Sequence, residues 1–204
     1  MGTEYTEYFA IHAPSLHALR RALEAHRIRS IVFMEEVEGS SFFYGENQPI
    51  KPTWQEYEAR PPARRWAAVL TDDATLDRLA SVFPRVLRLE VDTDPELWSL
   101  DLALHGKQIH FLFTDPRFPY FRFQGDEELI RASTSPTAEQ LVFLEETFDV
   151  PRDQLAPHLR MGGAEGFAAA TGVPYHYPLA QAQIDWTTCV PEGRNAIFLD
   201  DFID

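Results

Sequence analysis

Two stretches of the first 91 residues share one apolar pattern: a short apolar strand, an amphipathic helix and a second apolar strand. The first runs from Tyr8-Phe9-Ala10-Ile11 through a helix over Ser15 to Arg27 into Ile31-Val32-Phe33-Met34. The second runs from Ala67-Ala68-Val69-Leu70 through Thr75 to Phe83 into Val86 to Val91. Leu16, Leu19 and Leu23 fall on one helical stripe, and so do Leu76, Leu79 and Phe83, at spacings of three and four. Ser15 stands where a helix N-cap belongs, and Pro84 stops the second helix. The strands are rich in β-branched and aromatic residues and nearly continuous in apolar character, as buried strands are.

Between the copies, Glu38-Gly39-Ser40 is a turn signal, and Ser41-Phe42-Phe43-Tyr44 is expected to return as a hairpin strand. Gly45 to Arg65, with four prolines, reads as a long irregular loop anchored by Trp54 and Tyr57. After the second copy, Trp98 to Thr114 reads as a hairpin with Gly106-Lys107 at its turn, glycine first as a type II′ turn wants. That turn pairs Leu104 with Ile109, Leu102 with Phe111 and Leu100 with Phe113 on a dry face. The opposite face pairs His105 with Gln108, Ala103 with His110, Asp101 with Leu112 and Ser99 with Thr114, and is mostly wet.

Beyond Asp115 the pattern changes. Phe118-Pro119-Tyr120-Phe121-Arg122-Phe123 is an aromatic strand candidate. Ser135-Pro136 opens a helix that buries Leu141, Leu144 and Phe148. A short helical piece follows at Arg152 to Leu159, and a last helix spans Ala164 to Thr171, stopped by Gly172 and Pro174. The fold class expected is α+β: a ferredoxin-like βαβ-βαβ sandwich over residues 1–115, both helices on one sheet face, extended by the hairpin. Residues 116–204 are then an acidic, mainly helical subdomain packed on that body. An open mixed sheet with helices on both faces is the competing arrangement; the wet hairpin face argues for the first.

Composition narrows the function classes. The 204 residues are 45% hydrophobic and 13% aromatic, enough for a large core. No apolar run reaches the roughly 20 residues of a membrane span, and the first residues lack a signal stretch. The single cysteine, Cys189, fits a reducing, cytoplasmic setting. Net charge is −14, and residues 115–204 hold 15 acids against 6 bases. Such a surface repels phosphate backbones and attracts basic partners, besides keeping a protein soluble. Only Lys51 and Lys107 are lysines, and asparagine is equally scarce, which points to a GC-rich bacterial genome and drains arginine richness of functional meaning.

Sites of chemistry are few. Asp92 and Asp94 close a strand two residues apart and are the candidate metal ligands, with Glu90 and Asp101 able to join; an acidic turn is the plainer account. His105 and His110 share the wet face without zinc-ligand spacing. Cys189 would need His176 or His158 beside it to act as a nucleophile, and no serine-hydrolase elbow exists. Gly162-Gly163-Ala164-Glu165-Gly166 reads as a flexible start to a helix rather than a phosphate loop. No cofactor is implied.

The expected function is therefore that of a non-enzymatic protein-binding protein, similar in form to bacterial immunity proteins, small acidic α+β proteins that neutralise basic toxins. Its contacts would come from Glu35, Glu36 and Glu38, from Phe118, Tyr120 and Arg122, and from Asp126, Glu127 and Glu128. The competing function is a small-molecule- or metal-binding enzyme with a pocket under loop 45–65, where Trp54, Tyr57, Arg64 and Arg65 are at hand.

Overall fold

A computed structural model describes residues 5–33, 54–71, 75–92, 97–113, 120–122, 129–131, 136–175 and 195–198. Strand β1 (Tyr5–His12) leads through helix α1 (Leu16–Ala25) to β2 (Ser30–Phe33). Helix α2 (Trp54–Ala59) and a 3-10 turn (Pro62–Arg64) precede β3 (Trp66–Thr71), α3 (Leu76–Val82) and β4 (Arg85–Asp92). The hairpin β5 (Leu97–Leu104) and β6 (Lys107–Phe113) comes next, then a two-stranded ribbon of β7 (Tyr120–Arg122) with β8 (Leu129–Arg131). Helices α4 (Ala138–Phe148), α5 (Arg152–Leu155) and α6 (Ala164–Thr171) follow, and β9 (Ala196–Phe198) ends the described chain.

The main sheet has seven strands in the order β6-β5-β4-β1-β3-β2-β9. The first six are antiparallel to their neighbours, and β9 adds to β2 in parallel. The two strand–helix–strand units interleave: β3 lies between β1 and β2, and β1 lies between β3 and β4.

Both faces of the sheet are covered, by different parts of the chain. Phe9, Ile11, Val32, Ala67, Val69 and Val86 point to one face and pack with Leu16, Leu19 and Leu23 of α1 and with Leu79 and Phe83. The opposite face carries Tyr8, Leu87, Leu89, Trp98, Leu100, Leu102, Phe111 and Phe113, and α4 to α6 cover it with Leu144, Phe148, Leu155 and Phe167. Both helices of the repeat thus lie on one face, and the C-terminal helices cover the other. Helix α3 meets the hairpin only near its turn, where Gln108 Nε2 donates to Asp77 Oδ1 at 2.6 Å, and the rows of that face farther from the turn carry charge.

Local sequence explains the element ends. Ser15 Oγ accepts from the Ala18 amide and Thr75 Oγ1 from the Arg78 amide, capping α1 and α3. Helix α4 is capped by Thr137, two residues past the expected cap Ser135. Thr137 and Gln140 form a reciprocal capping box, which satisfies two amide donors at once. Gly172 ends α6 in the left-handed region, at φ 77°. Among the described residues no helix is long and apolar enough to cross a membrane.

The hairpin turn lies one residue earlier than the sequence suggests. His105 and Gly106 occupy it with φ of 47° and 80°, both positive as a type I′ turn requires, and Leu104 pairs with Lys107. Histidine is among the residues that tolerate the left-handed region. Alternation is kept, so the same residues face the core, but each β6 residue meets a different β5 partner. Trp98 opposes Phe113, Leu100 opposes Phe111 and Asp101 opposes His110.

Candidate functional site

Cross-strand registry builds two polar rows on the α1/α3 side of the sheet, beyond those helices. In one row Arg88 of β4 stands beside Asp101 of β5, which stands beside His110 of β6. In the next row Glu7 of β1 opposes Glu90, and Glu90 opposes Ser99. The preceding row on the same face is apolar through Ile11, Val86 and Ala103 and ends on Gln108 of β6. The face therefore changes from core to charge within one strand.

Arg88 organises the cluster. Its Nε and Nη2 donate to Oδ2 of Asp101 at 2.9 and 2.6 Å, while Nη1 lies 3.2 Å from Glu90 and 3.5 Å from Glu7. Ser99 Oγ donates to Glu90 Oε2 at 2.8 Å. His110 places Nδ1 2.5 Å from Oδ1 of Asp101. A carboxylate only accepts, so Nδ1 carries the proton in this bond. The Asp101 and Glu90 side chains keep only 13% of their surface exposed, against 42% for His110, so the carboxylates are sunk and the imidazole is presented.

These contacts set the protonation states. Burial pushes the Asp101 carboxyl up, but hydrogen bonds from His110 and Arg88 outweigh it and hold it below the usual range. The bond to Asp101 raises His110 against the opposing effect of burial. Glu7 is raised, first by burial and then by repulsion from Glu90, with Arg88 countering in part. On the far side of β1, burial lowers His12, although its ring lies 2.7 Å from the Pro62 carbonyl.

The two histidines act on stability with opposite signs. His110, raised in the fold, stabilises at pH below its unfolded value, and that contribution is lost as pH rises through its folded value. His12, lowered in the fold, disfavours the native state once pH falls below the unfolded value. Asp101, depressed, stabilises above its unfolded value and loses this as pH falls through the folded one. In an NMR titration His110 should titrate above the ordinary 6.5 and His12 below it. Asp101→Asn should lower the His110 value and leave His12 in place. A His110 that titrates at the same pH in both proteins would mean that the Asp101 contact does not hold in solution.

The sequence joins Glu90 and Asp101 only as possible metal ligands beside Asp92 and Asp94, and it leaves His110 and Ser99 apart from them. It misses Arg88 and Glu7. Their signal is the alternation in β4, where Leu87, Leu89 and Val91 point one way and Arg88 and Glu90 the other; reading this strand as continuously apolar hides it. His105 sits in the turn rather than beside His110. Asp92 ends β4 opposite Tyr5 and Leu97, and Asp94 lies outside the described residues. Among the described residues no three of His, Cys, Asp and Glu converge as a metal site. Glu35, Glu36, Glu38, Phe118, Asp126, Glu127, Glu128, Cys189 and His176 also lie outside them, as does the strand expected at 41–44. Tyr120 and Arg122 begin and end β7, where they pair with Arg131 and Leu129.

The loop residues offered for a pocket are partly structural. Tyr57 is fully buried, and its hydroxyl bridges the carbonyls of Ala13 and Arg65 at 2.9 and 2.6 Å. Arg65 donates to the carbonyls of Glu58, Arg60 and Pro14 at 2.7 to 3.0 Å, so its guanidinium is committed to the backbone. Arg64, in contrast, lines a cavity of about 370 Å³ with Arg60 and the end of α6. A second groove, of about 770 Å³, runs between the outer edge of β6 and the start of α4, bordered by Lys107, His110, Glu139 and Phe143. The His158 ring packs where a side chain on Gly166 would stand. Compared with known proteins, the chain matches no family model, no curated protein and no solved structure at a significant level.

Proposed function

We propose that this is a non-enzymatic binding protein that engages a basic protein partner through its acidic surface. The observation that carries the reading is charge: a net −14, with 32 acids against 18 bases. The sheet face supports it locally, since Glu7, Glu90 and Asp101 gather around the single guanidinium of Arg88. Such an excess raises encounter rates with a cationic surface and disfavours acidic partners. Glu35, Glu36, Glu38, Phe118, Tyr120, Arg122, Asp126, Glu127 and Glu128 remain the candidate contacts outside that face. In class the reading is that of a cytoplasmic immunity protein guarding against a basic toxin. We further read the interleaved order β4-β1-β3-β2, with α1 and α3 on one face, as a ferredoxin-like body spanning 1–115, with 116–204 as an acidic subdomain on it.

Immobilised protein exposed to an extract of its own cells should retain a protein of high isoelectric point. Once purified, that protein should bind progressively more weakly as ionic strength rises from about 0.01 to about 0.15 M, where the screening length shrinks from about 30 to about 8 Å. Recovery of no basic protein, or binding indifferent to salt, would count against the reading.

A further inference from the structure

We propose that the cavity between residues 60–64 and the C-terminal end of α6 binds a small carboxylate with an apolar body. One wall carries Arg60, Pro61 and Arg64; the other is made of Ala168, Ala169, Gly172 and the turn Val173-Pro174. In a chain with 32 acids none lines it among the described residues, whose charges there are two guanidinium groups. At about 370 Å³ it falls in the size range of small-ligand sites.

Both walls are held in place. The segment bearing the arginines is fixed by the two carbonyl bonds of Tyr57 and the three of Arg65. Arg60 stacks toward the Tyr57 ring, 6.0 Å from its centroid. On the other side Tyr8 donates to the Pro174 carbonyl at 2.7 Å, and the Gly172 amide closes α6 on Ala168. A cavity between anchored walls keeps its shape without a ligand, which lowers the entropic cost of binding one.

The chemistry follows from the lining. The Arg64 guanidinium makes no hydrogen bond or ion pair among the described residues, so its planar fork is available to a carboxylate. Ala168 and Val173 are buried apolar surface on the opposite wall, suited to a ring or short alkyl group. Gly172 is needed where it is: its φ is 77°, and a Cβ there would come within 3.0 Å of the Arg64 Cβ, pushing the arginine off the rim. A competing account is that the arginines merely complement the negative end of α6.

Benzoate, acetate and inorganic phosphate serve as probes, followed through the amide NMR signals of Gly172 and Ala169. Benzoate should shift both in a saturable way, with a dissociation constant of about 1 mM. Acetate should bind about tenfold more weakly for want of apolar contact, and Arg64→Ala should weaken benzoate about tenfold. Arg64 is exposed, so this variant keeps its fold, and Arg64→Lys should recover only part of the loss. Three results would each overturn the proposal: unmoved Gly172 and Ala169 signals, equal benzoate binding by Arg64→Ala, or phosphate binding more tightly than benzoate. None of them bears on the binding of a basic partner, which depends on the acidic surface.

Discussion

Replacing Trp98 by alanine should cost about 4 kcal/mol, close to the whole stability of a marginal domain. Trp98 is 1% exposed on β5 and lies where the sheet meets the C-terminal helices. Its ring stacks on Phe113 at 4.4 Å and tilts against Phe167 of α6 at 5.5 Å. Its indole N–H donates to the Arg160 carbonyl at 2.6 Å, tying the segment after α5 to the strand. The substitution removes all three contacts and opens a void that packed neighbours fill only in part. For a chain of this length, thermal unfolding should move down by roughly 8 to 16 °C. Trp98→Phe keeps the stacking but not the hydrogen bond, and should lose less than half as much. Because Trp98, Phe148 and Phe167 belong to one cluster with Leu87 and Leu100, the helices and the sheet should unfold in a single transition. A loss under about 1 kcal/mol in urea titrations, or helices melting apart from strands, would show that the two parts do not share this core.

Periodicity in the sequence yields the elements well and their partners poorly. The stripes Leu16/Leu19/Leu23 and Leu144/Phe148 name the buried helix sides, because a helix declares its buried face through local spacing alone. What covers each sheet face is decided at long range. Tyr8 reaches the Pro174 carbonyl across 166 residues, and β9 pairs with β2 in register over Ala196, Ile197 and Phe198. Three residues carry no readable period, so the seventh strand is invisible in the sequence.

The hairpin shows how a small turn error hides a site. Gly106 can occupy the first position of one turn type or the second of another, and both choices put the same residues on the dry face. Nothing in the core pattern separates them. Yet one choice sets Asp101 against Leu112, and the other sets it against His110, where the Arg88-Asp101-His110 row forms. The chemically informative contact thus depends on the feature that hydrophobic patterning constrains least. The charged face is legible only once β1, β4, β5 and β6 are aligned, since each strand supplies one or two of its members.

Gly163→Ala should be the most damaging of the small substitutions, at about 3 kcal/mol. The run Gly162 to Gly166 reads in sequence as a flexible helix start, but Gly163 is buried and serves a packing role. Its φ of −101° is open to any residue, so freedom of the backbone is not the reason for glycine. Space is the reason. A Cβ at 163 would stand 1.9 Å from the His158 carbonyl oxygen, 2.7 Å from its carbon and 2.9 Å from the Arg160 oxygen. These are backbone atoms of a turn held by bonds from Arg160 to His158 and from Gly163 to Arg160, so they yield only if α6 moves away. That movement would pull Phe167 off Trp98 and Phe148. Gly166→Ala is the informative contrast. Its Cβ would meet the His158 ring, 2.2 Å from Nδ1, but a ring can rotate aside, and alanine favours the helix over glycine by about 1 kcal/mol. Gly166→Ala should therefore fall within about 1 kcal/mol of the parent, and further replacement of His158 by alanine should remove its clash while leaving Gly163→Ala just as unstable. Equal losses at the two glycines in chemical denaturation would mean that α6 is seated on the His158 side chain rather than on the backbone of the turn.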